Sequence, residues 1–296
     1  MTAAPRILLF GRAGQIGGEV LGLLEGAADV VAPAETEPDF RDADGLRSAV
    51  RSVRPTVVVN AAAYTAVDRA ESESDLAHAV NATAAGILAE EAARLGALLV
   101  HYSTDYVFDG AKRSPYVEAD APAPLGEYGR SKLEGERRVL AAGGRPVVLR
   151  TSWVYGPRGQ NFLLTMLRLF AEREEVRVVD DQVGAPTTAR FLAEATLKVI
   201  GADPPAERCG LYHLTAAGRT SWCGFARRIF ELDARPEKRC VRVVPIATAE
   251  YPTPARRPAW SVLDCARFAA AFGFAQRPWE ELLQETMAVL AGPALI

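Results

Sequence analysis

Over the first half of the chain, short apolar runs alternate with longer amphipathic ones. Residues 6–10, 29–32, 56–60, 97–103 and 146–151 are nearly continuous Val, Leu and Ile, the pattern of parallel strands covered on both faces. Between them, residues 14–25, 42–53, 76–95 and 128–141 carry apolar side chains at helical spacing. This alternation predicts an α/β fold, a doubly wound parallel sheet with right-handed crossovers. After residue 151 the rhythm changes. Phe162, Leu163, Met166, Leu167, Leu169 and Phe170 share a helix face. Short strands are expected at 176–179, 211–214 and 241–245, and helices at 187–199, 222–232, 261–272 and 279–290. Pro252, Pro254 and Pro258 punctuate the stretch before the last two helices. The mixture predicts a dinucleotide-binding core over residues 1–151. A smaller mixed, substrate-covering lobe follows over 152–296, with some of its segments returning to the core.

Composition narrows the function classes. Of 296 residues, 49% are apolar and 24% charged, an ordinary globular balance with room for a large core. A net charge of −3 gives no reason to expect nucleic acid or an anionic membrane as a partner. No apolar stretch approaches the roughly 20 residues that cross a bilayer, and the N-terminus lacks a charged leader pattern, so a cytoplasmic protein is expected. Cys209, Cys223, Cys240 and Cys265 form no Cys-x-x-Cys pair, and free thiols in a reducing compartment are expected, with no metal. Only four lysines occur, at 112, 132, 198 and 238. Lys132 is therefore not one of many interchangeable surface cations.

The turn Gly11-Arg12-Ala13-Gly14-Gln15-Ile16-Gly17 follows the first strand and opens a helix. There Gly11 makes the tight turn, Gly14 admits a pyrophosphate, and Gly17 lets helix and strand approach, which makes the sheet Rossmann-type. The helix N-terminus adds free N–H groups and a positive dipole end. A plain strand-to-helix turn is the competing interpretation. No clean acidic residue closes the second strand, and Glu35 is a poor candidate for that place. Arg12 suits a 2′-phosphate, which favours NADPH, with NADH as the alternative. Asp39 and Phe40 suit the edge and face of an adenine, a surface loop being an equally good account. Asn60-Ala61-Ala62-Ala63 closes the third strand with small side chains that let a ligand lie on the backbone; a compact strand–helix junction explains them as well.

Ser103-Thr104-Asp105 ends the fourth strand, and Thr104 offers a hydroxyl to a carbonyl oxygen. Tyr128 and Lys132 stand one turn apart on a helix, so both point the same way. A phenol with an ordinary pKa near 10 is a poor acid–base group at neutral pH. A neighbouring ammonium is expected to bring it down.

With these motifs in place the chain resembles the dTDP-4-dehydrorhamnose reductase family of extended short-chain dehydrogenases/reductases. The matching stretches are residues 11–17, 60–68, 103–110, 128–136 and 150–156. To these are added Asn161-Phe162, Asp181-Gln182-x-Gly184-x-Pro186-Thr187, and Arg257-Pro258 with Ser261. The resemblance implies hydride transfer from a nicotinamide to C4 of a dTDP-4-keto-6-deoxy sugar. It implies Tyr128 as proton donor, Lys132 as its partner and ribose ligand, and Thr104 as carbonyl holder. Asp105, Trp153 and Arg257 would touch the sugar nucleotide, although Trp153 alone would be read as core. Residues 61–64, ending at Tyr64, and Asp39-Phe40 would touch the cofactor. A homodimer is compatible with the resemblance. Magnesium accompanies some members, but no acidic cluster here marks a site for it.

Two departures stand out. Gly126-Glu127 precedes Tyr128 where the family commonly has Asn-x, and Trp260 stands where Asn is frequent; both are expected near the sugar or its loop. The alternatives are a reductase of another dTDP-keto sugar, an epimerase or 4,6-dehydratase, and a non-catalytic subunit like methionine adenosyltransferase β. Dehydratases place Asp-Glu after the Thr, whereas Asp105-Tyr106 follows here.

Overall fold

The structure is a computed structural model that describes residues 4–26, 28–34 and 38–292. Its first half alternates β1 (Arg6–Phe10), α1 (Gln15–Leu24), β2 (Asp29–Val31), α2 (Ala43–Val53) and β3 (Val57–Asn60). Two short helices follow, α3 (Val67–Ala70) and α4 (Ser74–His78). A π-helical turn, Ala79–Thr83, then leads into α5 (Ala84–Leu95). The core closes with β4 (Leu98–Thr104), α6 (Glu127–Ala141) and β5 (Arg145–Thr151). Side chains alternate across the sheet: Ile7 and Leu9 face one layer, Leu8 and Phe10 the other, and all are buried. Burial on both faces explains the unbroken apolar runs, each such Leu or Val contributing about 1.5–3 kcal/mol.

The second half runs β6 (Val154–Tyr155), α7 (Phe162–Glu172), β7 (Glu175–Val179), β8 (Val183–Gly184), β9 (Thr187–Thr188) and α8 (Ala189–Ala202). It continues with β10 (Gly210–His213), β11 (Thr220–Ser221), α9 (Trp222–Leu232), β12 (Arg242–Ile246), α10 (Ala266–Phe272) and α11 (Trp279–Ala291). The main sheet is parallel throughout, in the order β10-β5-β4-β3-β1-β2. Strand β10 thus joins the sheet beyond β5, and α8 packs on α1. One apolar cluster runs from Ile7 and Val100 through Tyr155 and Phe225 to Leu283. The chain reverses its direction of build between β1 and β3, so their carboxyl ends open a crevice.

Two expected helices differ in detail. The helix expected at 76–95 begins at Ser74 and widens into the π turn, against which α6 is pressed: a Cβ on Gly135 would lie 2.1 Å from the Asn81 carbonyl. The helix expected from 261 starts at Ala266, because Leu263 is held in a bridge to Tyr116. All four cysteines are free, three buried and Cys209 half-buried. Among the described residues no helix is long and apolar enough to cross a membrane.

Candidate active site

A cleft of about 810 Å³ lies over the carboxyl ends of β1, β3, β4 and β5. Its floor at one end is the glycine turn. Gly11 has φ +83°, and a Cβ there would strike the Ala61 and Ala62 backbone at 2.6–2.8 Å. Gly17 sits under the turn, its missing Cβ only 2.1 Å from the Gly11 carbonyl oxygen. Gly14 caps α1 without a side chain, so no side-chain cap among the described residues covers the first N–H groups of that helix. An uncapped helix end beside a bare glycine backbone fits a pyrophosphate. Asn161 fastens the other side of the turn: its Nδ2 donates to Gln15 Oε1 at 2.9 Å, which holds the Gln15 side chain in the cleft lining. Arg12 is exposed, and its Nη1 donates to the Ala32 carbonyl at 3.0 Å, beside the end of β2. Glu35 lies outside the described residues.

Ala13, Ile16, Ala61, Ala62 and Ala63 line the cleft, as does Phe40, whose ring packs edge-on to Phe10 at 5.6 Å. Asp39 does not; it is paired with Arg41 at 2.6 Å. Tyr64 turns its hydroxyl to Glu73 at 2.7 Å, out of the cleft lining.

Thr104, Asp105, Tyr128, Lys132 and Trp153 converge at the other end. Thr104 Oγ donates to Asp105 Oδ1 at 3.0 Å and accepts from the Tyr106 N–H at 3.2 Å. Asp105 is buried, its Oδ2 has no hydrogen-bond partner among the described residues, and burial pushes its pKa up to about 7. Tyr128 packs edge-on to Tyr106 at 5.9 Å. Its pKa is pushed up to about 12, chiefly by burial, with Thr104 opposing. The expectation that Lys132 lowers it is corrected here. Lys132 Nζ is turned to the Tyr102 carbonyl at 2.7 Å, and burial lowers its own pKa to about 8.

Arg257 stands outside the cleft lining, in an ion pair with Asp68 at 2.8 Å. Neither family departure is among the residues lining the cleft. Trp260 is buried, and its indole N–H donates to the Ser114 carbonyl at 3.0 Å. Gly126 leaves α6 without a side-chain cap, and Glu71 Oε1 caps it instead, accepting from the Glu127 N–H at 2.8 Å.

Two residues escaped the sequence. Asn81, in the π turn, accepts from the Tyr64 N–H at 2.9 Å and donates to both the Tyr64 carbonyl and Ser131 Oγ at 3.0 Å. It thereby ties the 61–64 loop to α6. A lone buried Asn in an apolar helix was its only signal. Trp222, at the start of α9, stacks on Trp153 at 3.6 Å and 8° and lines the same cleft. Trp153 holds φ +47°, a left-handed conformation, with Gly184 bare beneath its ring: a Cβ there would meet it at 2.6 Å. Among the described residues no group of three His, Cys, Asp or Glu side chains could hold a metal ion.

The profile of the RmlD substrate binding domain family matches residues 5–291. A dTDP-4-dehydrorhamnose reductase from Burkholderia thailandensis is 47% identical, covering 93% of this chain and 95% of that protein. One from Escherichia coli K12 is 43% identical over 93% and 94%. The crystal structure of dTDP-4-dehydrorhamnose reductase from Bacillus anthracis, in complex with NADP, superposes with a TM-score of 0.90 at 36% identity, covering 97% and 99%. The chain belongs to the dTDP-4-dehydrorhamnose reductase family.

Proposed function

We propose that this chain reduces the C4 carbonyl of dTDP-4-dehydro-L-rhamnose to give dTDP-L-rhamnose, with NADPH as the preferred reductant. The observation that carries this is one cleft holding both the glycine turn and the group Thr104, Tyr128 and Lys132. When bound, the nicotinamide supplies the hydride that adds to C4. Tyr128 supplies the proton that turns the resulting C–O⁻ into a hydroxyl. With its pKa at about 12 the phenol is loaded with that proton at neutral pH. The Thr104 hydroxyl, now donating to Asp105, is free to turn towards the carbonyl oxygen. Lys132 spends one of three N–H donors on Tyr102, which leaves two for ribose hydroxyls. The stacked Trp153 and Trp222 wall the sugar end.

The test is NADPH oxidation with enzymatically prepared dTDP-4-dehydro-L-rhamnose and identification of the product by NMR. Stoichiometric dTDP-L-rhamnose is expected. Tight NADPH binding without turnover of this sugar would overturn the substrate assignment.

Cofactor preference has its own prediction. Arg12, whose guanidinium donates to the Ala32 carbonyl beside the end of β2, supports this preference as the candidate partner of a 2′-phosphate. Arg12→Ala should cost about tenfold or more in kcat/KM for NADPH, the scale of one charged hydrogen bond, and little for NADH. Equal losses with both cofactors would remove that role.

A further inference from the structure

Ser103, Glu136 and Arg150 belong to the stretches that carry the family resemblance, yet the reaction above leaves them unused. The sheet brings them together. Ser103 stands opposite Arg150 in the β4–β5 register, and Arg150 opposite His213 in β5–β10. Glu136, one turn beyond Lys132 on α6, meets this row. Its Oε1 and Oε2 accept from Arg150 Nε and Nη2 at 2.8 and 2.6 Å, with both side chains at most 3% exposed. Ser103 Oγ donates to Glu136 Oε1 at 2.5 Å. Behind them the Arg150 guanidinium lies 5.0 Å from the Phe108 ring centroid and 3.4 Å from His213 Nε2.

We propose that Glu136 is a positioning residue of the reductase, locking α6 to the sheet through Ser103 and Arg150 and holding the Lys132 ammonium in its charged form. This rests on Lys132 being part of the catalytic group. Adjacent residues of β4 grip successive turns of α6. The Tyr102 carbonyl takes Lys132 Nζ, and Ser103 takes Glu136. The helix cannot rotate without breaking both, and Tyr128 lies on the turn before. The same carboxylate acts on Lys132 directly. Burial moves the Lys132 pKa down, and Glu136 opposes it. Of the other titratable groups around Lys132, only Asp105, with its pKa at about 7, carries negative charge at neutral pH. His101 on β4 is held neutral by burial. Tyr102 and Tyr128 are pushed up by burial, and His213 on β10 is lowered to about 3. Asp105 bears on Tyr128 rather than on Lys132. Arg150, bidentate on Glu136, gives this buried carboxylate its counter-charge.

The experiment measures the Lys132 titration by NMR in protein carrying ¹³C-labelled lysine, which the presence of only four lysines makes tractable. The pH profile of kcat/KM is recorded alongside. Glu136→Gln is one variant. Because it strands Arg150 in the interior, E136M/R150M, an apolar pair of similar volume that buried ion pairs tolerate, is the second. The charged lysine is lost as pH rises through its pKa. Removing the anion should therefore lower the Lys132 titration, and with it the alkaline limb, by about one pH unit in Glu136→Gln, and in the same direction but by less in the double variant, which loses the Arg150 cation as well. A titration unmoved in the folded double variant would overturn the proposal and leave the pair a packing element. A titration that moves, in a parent enzyme turning over no dTDP-keto sugar, would overturn the functional assignment and leave the electrostatic role of Glu136 standing.

Discussion

Tyr128→Phe is expected to lower turnover by roughly 10²- to 10⁴-fold, the usual contribution of a positioned acid, while NADPH still binds as in the parent. The substitution removes one hydroxyl and keeps the ring, whose edge-on contact with Tyr106 needs no oxygen. Its polar neighbour, Thr104, also has Asp105 Oδ1 to donate to, so no charged group is stranded by the change. Loss of fold is therefore not the expected route to inactivity. The pKa of about 12 matters for the direction of the reaction. A reductase needs its tyrosine protonated when hydride arrives, and burial ensures that without help from Lys132. The reverse oxidation needs the phenolate and should gain relative to reduction as pH rises. Single-turnover rates with both cofactor binding and product measured give the test. Mutant and parent turning over equally fast would remove Tyr128 from the proton-donor role.

Gly17→Ala should weaken NADPH binding by at least about tenfold and destabilise the fold by about 1–3 kcal/mol, as overpacking does. The added methyl would meet the Gly11 carbonyl oxygen at 2.1 Å and its carbon at 2.6 Å, both backbone atoms. Helix α1 and the turn must part, and the uncapped N–H groups that follow Gly14 move with them. Gly22→Ala on the same helix is the control. Nothing lies within 4 Å of its Cβ, and it should leave binding intact and stabilise the helix by about 0.5–1 kcal/mol. Cofactor titration and urea midpoints on the two variants decide the matter. Gly17→Ala binding NADPH as tightly as Gly22→Ala would mean the turn does not set the cofactor site.

The alternation of apolar runs made the core strands legible, because each lies between two apolar layers and has no polar face to show. The glycine turn was legible for a similar reason: Gly11 and Gly17 answer to contacts within a few residues of themselves or with the neighbouring strand. Thr104, Tyr128 and Lys132 were readable as a group because strand ends and one helical turn place them with little freedom. The ammonium's direction was not. Lys132 has a carbonyl of β4 within reach, thirty residues away in the chain, and burial raises the Tyr128 pKa where the ammonium was expected to lower it. Arg257 and Tyr64 left the cleft for a like reason, since Asp68 and Glu73 claim them.

What the sequence determined alone was the local and periodic part: a parallel α/β sheet, a glycine turn after its first strand, a Tyr-x-x-x-Lys helix, and the family. Tertiary structure alone decided which polar groups are spoken for. The return of β10 beside β5 put His213 against Arg150, and the landing of α9 put Trp222 on Trp153. Such pairings join residues tens of positions apart. Periodicity reports only which face of its own element a side chain occupies, and the partner on that face exists only once the layers have packed.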